Sequence, residues 1–284
     1  MSIKLGLGIG NFLTASLPEM IALAARHGFP TVTVRPMAVL QALEAGDSQQ
    51  TLRRRFSDAG VRPTLLDGLS GALPGVPPPE TMDPAVRAIL PIDALNPPDE
   101  EACFRCAELL QLPVVNVIHY RGPELPLEQM TEAVGALCDR AKARGLVISL
   151  EFVPTTGLRD LPFTQAIIAA SGASNCGITL DFFHLDRTGG TAADIRKLPP
   201  GTIRNIQVSD RTPPPPGTPY KPLSGRKLPG EGQIPLRELI NAALENSPDA
   251  TIDIEVLNDE LRALPMDVAA ARLAAAGKAW VASL

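Results

Sequence analysis

Short apolar runs bounded by turn residues alternate along this chain with longer stretches whose apolar positions recur at helical spacing. The first kind reads as strands buried in a parallel sheet, the second as helices laid over it. Strands are expected at Lys4–Gly10, Thr31–Pro36, Arg62–Leu69, Val114–Tyr120, Val147–Phe152, a run ending at Asp181, Ile203–Ser209 and Thr251–Leu257. Helices are expected at Leu17–His27, Ser48–Ala59, Glu100–Gln111, Leu127–Arg144, about Pro162–Ser171, near Ala192–Lys197, Leu236–Asn246 and Met266–Ser283. Local punctuation agrees with these limits. Ser16 is placed to cap the first helix with Pro18 at its first position, and Gly60 and Gly145 stop two others.

Eight strand–helix units of this size close most naturally into a (β/α)8 TIM barrel, a single α/β domain over residues 1–284 with its site at the C-terminal strand ends. An open doubly wound sheet is the runner-up. It fits less well because Gly6, Gly8 and Gly10 alternate within the first strand instead of opening a helix after it. Two long irregular stretches stand out. Ser70–Pro98 and Arg211–Gln233, the latter with the proline run Pro213–Pro216, are too long for plain connections and read as excursions or lids. A lid rich in proline loses less entropy on ordering; a subunit contact is the plainer use of such a loop.

Composition narrows the partners. With 45% hydrophobic and 20% charged residues, the 284-residue chain can bury a sizeable core. A net charge of −5 argues against nucleic acid or an anionic membrane, both of which call for a basic face. No apolar run reaches membrane-span length and the N-terminus lacks signal-peptide character, so a cytoplasmic protein is expected. A small molecule is the expected partner, and a homo-oligomer stays open. Cys103 and Cys106 form a C-x-x-C, but within a helical pattern and with no second pair, so they read as core cysteines; Cys138 and Cys176 read likewise.

The candidate chemistry gathers around Ile178–Asp186, where an apolar run leads into Asp181 and, three residues on, His184. Glu151, Gln207 and Glu255 occupy comparable places in the neighbouring runs. Buried carboxylates must be paired, hydrogen-bonded or metal-bound. Three of them converging would raise one another's pKa, a conflict that one divalent cation resolves. An all-oxygen set of Glu151, Asp181, Gln207 and Glu255 favours Mg²⁺, Mn²⁺ or Co²⁺, and zinc fits less well.

The motifs Leu-Glu-Phe at 150–152, Leu-Asp-x-x-His at 180–184, Gln-Val-Ser-Asp at 207–210 and Leu-Pro-Gly-Glu-Gly at 228–232 ahead of Ile-Glu at 254–255 resemble the xylose-isomerase-like TIM-barrel family of sugar isomerases and epimerases. Gln207 in place of the His of many epimerases is more similar to the dehydroshikimate or inosose dehydratase and hydroxypyruvate isomerase branches. The second strand departs from the family, reading Val34-Arg35-Pro36 where an acidic residue is common. The resemblance implies that Glu151, Asp181, Gln207 and Glu255 hold one catalytic metal and that His184 lies over the substrate. Glu151 and Glu255 would then move protons next to a carbonyl, giving an isomerase or epimerase. If a β-hydroxyl is expelled, the same site is a dehydratase with His184 as base or acid.

Three further residues are candidates for binding substrate. Arg226 and Lys227 could bind an anionic group, or be solvated loop charges. His119 either lines the pocket or is a buried structural histidine, and His27, at a helix C-terminus, reads as structural. Two rival readings remain: a zinc endonuclease of related fold, which would want more histidines and a basic face, and a non-catalytic binding subunit.

Overall fold

Along most strands, large apolar side chains alternate with polar or small ones, and the two sets face opposite ways. In β5 (Val147–Glu151), Ile148 and Leu150 are fully buried in the apolar core, while Ser149 bonds to Thr179 at 2.7 Å and Glu151 to Asn116. The pleat of a strand requires this period of two. The apolar set packs outward against the helices and the polar set lines the interior. What first reads as a continuous apolar run is therefore half polar by design.

The computed structural model describes residues 3–76, 78–82, 84–89, 95–119, 124–213, 215, 217–218 and 223–284. The strands are β1 (Leu5–Leu7), β2 (Thr31–Val34), β3 (Arg62–Leu69), β4 (Val114–Ile118), β5, β6 (Cys176–Asp181), β7 (Ile203–Val208) and β8 (Thr251–Ile254). They pair in parallel in sequence order, and β1 pairs with β8, closing the barrel. Closure excludes the open sheet. Register places Asp67 beside Asn116, Asp181 beside Gln207, and Gln207 beside Asp253.

The helices follow the caps. Leu17–His27 has Ser16 and Glu19 in a reciprocal capping box and ends at Gly28 with φ 77°; Pro18 sits one position later than expected. Asp99 and Asp160 cap the helices Glu100–Leu110 and Leu161–Ser171 one way only, accepting from the N–H groups of Ala102 and Phe163. Several expected strands are shorter. The first ends at Leu7 and gives way to a 3₁₀ turn at Ile9–Phe12, and Pro36 opens a helix, Pro36–Glu44, instead of closing a strand. The short helices Phe182–Arg187 and Asp259–Arg262 also go beyond the sequence expectation.

Parts of both long excursions, the chain after Ile118 at 120–123, and Pro214 and Pro216 of the proline run lie outside the described residues. Within Ser70–Pro98 the chain forms a 3₁₀ turn at Pro79–Thr81 and a helix at Pro84–Ile89. All four cysteines are buried and free, and burial pushes the Cys103 thiol to about 12 and that of Cys106 to about 11. Thiols so hard to ionise suit a core role. Among the described residues, no helix is long and apolar enough to cross a membrane.

Candidate metal centre

Asp181 ends β6 and caps the helix that follows. Its Oδ1 accepts from the backbone N–H groups of Phe183 (2.7 Å) and His184 (3.2 Å), which turns the chain into Phe182–Arg187 and carries the His184 ring back toward the strand end. Oδ2 is thereby left to face the barrel mouth, 3.6 Å from His184 Nε2. Capping and site roles are divided between the two oxygens of one carboxylate. Glu151 Oε1 lies 3.5 Å from the same imidazole nitrogen. Glu151, Asp181 and His184, all buried, offer ligand atoms within 4.8 Å of one another.

Glu255 stands one residue past β8, in space left by glycine. A side-chain carbon on Gly10 would come within 2.5 Å of Glu255 Oε1, and one on Gly8 within 3.1 Å of its Cβ. Gly6 is likewise opposite Asp253. The alternating glycines in and just after the first strand thus make room for carboxylates in and just after the last. Gly10 N–H donates to Glu255 Oε1 at 3.2 Å, and Asn11 bonds the backbone on both sides, to Ile254 O (2.8 Å) and from Val256 N (2.8 Å).

Gln207, on β7, reaches across to Asp67 on β3, with Nε2 3.5 Å from Oδ2. These strands are not neighbours, so both side chains point into the barrel. Its carbonyl Oε1 is buried with no hydrogen-bond partner among the described residues. Asp67 and its partner Asn116 escaped the sequence reading. The available signal was the same one used for β5 to β8, a polar residue at an inward position of an apolar strand.

Arg226 is brought into the cluster. Its guanidinium is 1% exposed, with Nη1 2.6 Å from Asp181 Oδ2 and 3.6 Å from Glu255 Oε2, Nη2 3.4 Å from His184 Nε2, and its plane over the Phe183 ring. A cation there decides which carboxyl groups ionise. Burial pushes Asp181 upward, but the charges of Arg226 and His184 and the hydrogen bonds it accepts outweigh this and hold it below the usual range. Burial pushes Glu255 well above its usual value despite Arg226, with Asp67, Glu151 and Asp181 adding repulsion. Asp67 rises to about 7, through burial first and Glu151 second.

The contacts of the other two expected substrate-side residues run through backbone groups. Lys227 is exposed, and its backbone forms a bridge with Asp210. His119 is fully buried with Nε2 2.9 Å from Pro74 O, and burial lowers its pKa.

The loop carrying Arg226 is held by Asp210, whose two oxygens accept from the backbone N–H groups of Arg211, Gly230, Gly232 and Ile234 at 2.8–3.1 Å. Asp210→Ala takes the acceptor from four backbone donors, one of them, Ile234 N–H, buried, and is expected to lower stability by about 3 kcal/mol. Denaturant unfolding measures the loss, and limited proteolysis should show first cleavage moving into residues 227–234; an unchanged midpoint would refute it.

The donor set fits a divalent ion. Two carboxylates and an imidazole present convergent atoms, and Gln207, the register partner of Asp181, carries a buried amide oxygen that is unpaired among the described residues.

A family model described as the xylose isomerase-like TIM barrel matches residues 21–284. An inosose isomerase of Halalkalibacterium halodurans is 28% identical over 126 residues, which is 44% of this chain and 44% of that protein's length. Among solved structures, the IolI protein with a bound zinc atom superposes with a TM-score of 0.79 at 19% identity, covering 99% of each chain. The probable 3-DHS dehydratase AsbF of Bacillus anthracis gives 0.69 at 15% identity, covering 97% of this chain and 99% of its own. At such identities the superpositions establish the fold.

Proposed function

Because the chain belongs to the xylose isomerase-like TIM-barrel family, we propose that it is a divalent-metal-dependent isomerase or epimerase that moves a proton next to a carbonyl of a small hydroxy-carbonyl substrate, a sugar, sugar derivative or keto acid. The observation that carries this reading is the convergence of Glu151, Asp181 and His184 within 4.8 Å at one barrel mouth. Glu151, Asp181, Gln207 and Glu255 would hold the ion, with His184 beside it. Bound there, the ion supplies Lewis-acid polarisation of a carbonyl and a template for its neighbouring hydroxyl.

The chain's own groups do the proton work. Asn116 donates to Glu151 Oε2 at 2.6 Å, which fixes the carboxylate with Oε1 toward His184 and the site. Gly10 N–H holds Glu255 Oε1, and Oε2 is the oxygen that faces Arg226 Nη1 at 3.6 Å. The two glutamates reach the mouth from β5 and from just past β8, three strands apart, and can serve opposite faces of one carbon. Arg226, paired with Asp181 and Glu255 within a loop held by Asp210, keeps the negative cluster folded and can turn a donor to a substrate oxygen.

A dehydratase is the second reading, favoured by the 3.5 Å separation of His184 Nε2 and Glu151 Oε1. An imidazole beside the base can hand its proton to a departing β-hydroxyl. Metal analysis of purified protein, followed by incubation with keto sugars and keto acids in D₂O, tests both. Deuterium on the carbon next to the carbonyl, with mass otherwise conserved, is the expected result, and loss of one water would mark the lyase. A protein that binds no divalent ion and exchanges no proton would be a binding subunit.

A further inference from the structure

We infer that Asp67 is a positioning residue of the metal centre, fixing the Gln207 amide so that its carbonyl oxygen, and not its NH₂, faces the ion. The inference rests on the metal-dependent reading above. A glutamine at a ligand position is ambiguous in a way that a glutamate is not, because turning the amide over presents a donor to the cation. Something must choose the end. Asp67 reaches Gln207 from the far side of the barrel, and a carboxylate accepts only from the NH₂ end; Nε2 lies 3.5 Å from Asp67 Oδ2. Oε1 is left turned away, buried, and without a hydrogen-bond partner among the described residues.

The other oxygen of Asp67 continues the chain. Asn116 Nδ2 donates to Asp67 Oδ1 at 2.8 Å and to Glu151 Oε2 at 2.6 Å, which uses both protons of that NH₂. Glu151 is thereby held by one oxygen and keeps the one that faces His184. One buried carboxylate, itself satisfied by two amides, orients a ligand on β7 and, through Asn116, a ligand on β5. Outer partners of this kind typically set metal affinity by 10- to 100-fold.

Mn²⁺ affinity, measured by competition with a fluorescent chelator, separates orientation from simple charge when read as a double-mutant cycle. Asp67→Asn offers Gln207 a donor, lets the amide turn over, and should weaken Mn²⁺ binding about 10- to 100-fold. In a Gln207→Glu background either end of the side chain is an oxygen. There the same Asp67→Asn change should leave affinity within about 3-fold or tighten it. Circular dichroism of each metal-free variant confirms the fold, and Asp67→Ser, which also frees the amide, serves the same cycle if the asparagine variant does not fold. Equal losses in both backgrounds would show that Asp67 acts only as a charge and would overturn the inference, as would no loss beside Gln207. Failure of the unmodified protein to bind Mn²⁺ or any other first-row divalent ion would instead bring down the metal-dependent reading, and this inference with it.

Discussion

Glu151→Gln and Glu255→Gln are each expected to lower turnover by roughly 10³-fold or more while leaving the barrel intact, since each removes a proton acceptor that no neighbour replaces. The fold should survive because the amide keeps the shape of the acid. Gly10 N–H can still donate to an oxygen at position 255, where it now meets Oε1 at 3.2 Å. Removing one carboxylate also relieves repulsion, for burial pushes Glu255 up and, against the opposing charge of Arg226, Asp67, Glu151 and Asp181 add to the rise. The metal-free variants should therefore melt no lower than the unmodified protein. The two substitutions should also differ in kind. With glutamates serving opposite faces of one carbon, each variant loses deuterium wash-in from one epimer of the substrate and retains part of it from the other. Near-normal turnover in both variants would end the proposed mechanism.

What could be seen in the sequence follows from how local each signal is. Helix limits set by a cap and a stop, as at Ser16 and Gly28 or at Ser48 and Gly60, depend on a few adjacent residues and came through nearly unchanged. The helix Phe182–Arg187 was hidden because Phe182 and Phe183 prolong the apolar run of β6, while the signal that ends the strand is Asp181, read only as a ligand. Pro36, at the end of an apolar run, reads as the close of a strand, but it opens the helix Pro36–Glu44, where proline is equally at home. Glu151, Asp181, Gln207 and Glu255 were recognisable because each is polar at the end of an apolar strand. Asp67 obeys the same rule, but it matters only through a contact made across the barrel, with Gln207 140 positions further along the chain. Arg226 shows the same limit from the other side. In the sequence it is a candidate for an anionic group of the substrate or a solvated loop charge, and only the folded chain reveals the carboxylates, Asp181 and Glu255, that it already faces.

A layer deeper than the mouth, Asp253 tests whether the polar interior is itself a burden on stability. It is fully buried on β8, with Oδ2 2.5 Å from Asn205 Nδ2 and with Oδ1 unpaired among the described residues. Burial raises it from 3.8 to about 7, against the opposing bond from Asn205. The sign follows from proton linkage. A carboxyl whose folded pKa exceeds its unfolded one binds more protons in the native state, so its contribution is fully present below pH 3.8 and is lost as pH rises through about 7. Above that pH the penalty approaches about 4 kcal/mol. Asp253→Asn removes the ionisable group and keeps an oxygen for Asn205, at the lesser disadvantage of an extra NH₂. The metal-free variant is therefore expected to exceed the unmodified protein by about 2–4 kcal/mol at pH 8, with the gap closing toward pH 4. Glu255 and Asp67 titrate with the same sign, but they are present in both proteins and largely cancel in the difference. Urea unfolding at the two pH values reads the effect directly. Equal stability at pH 8 would mean that Asp253 is held in a far wetter or better-paired environment than its burial implies, and the account of a polar interior under strain from its own charges would fail with it.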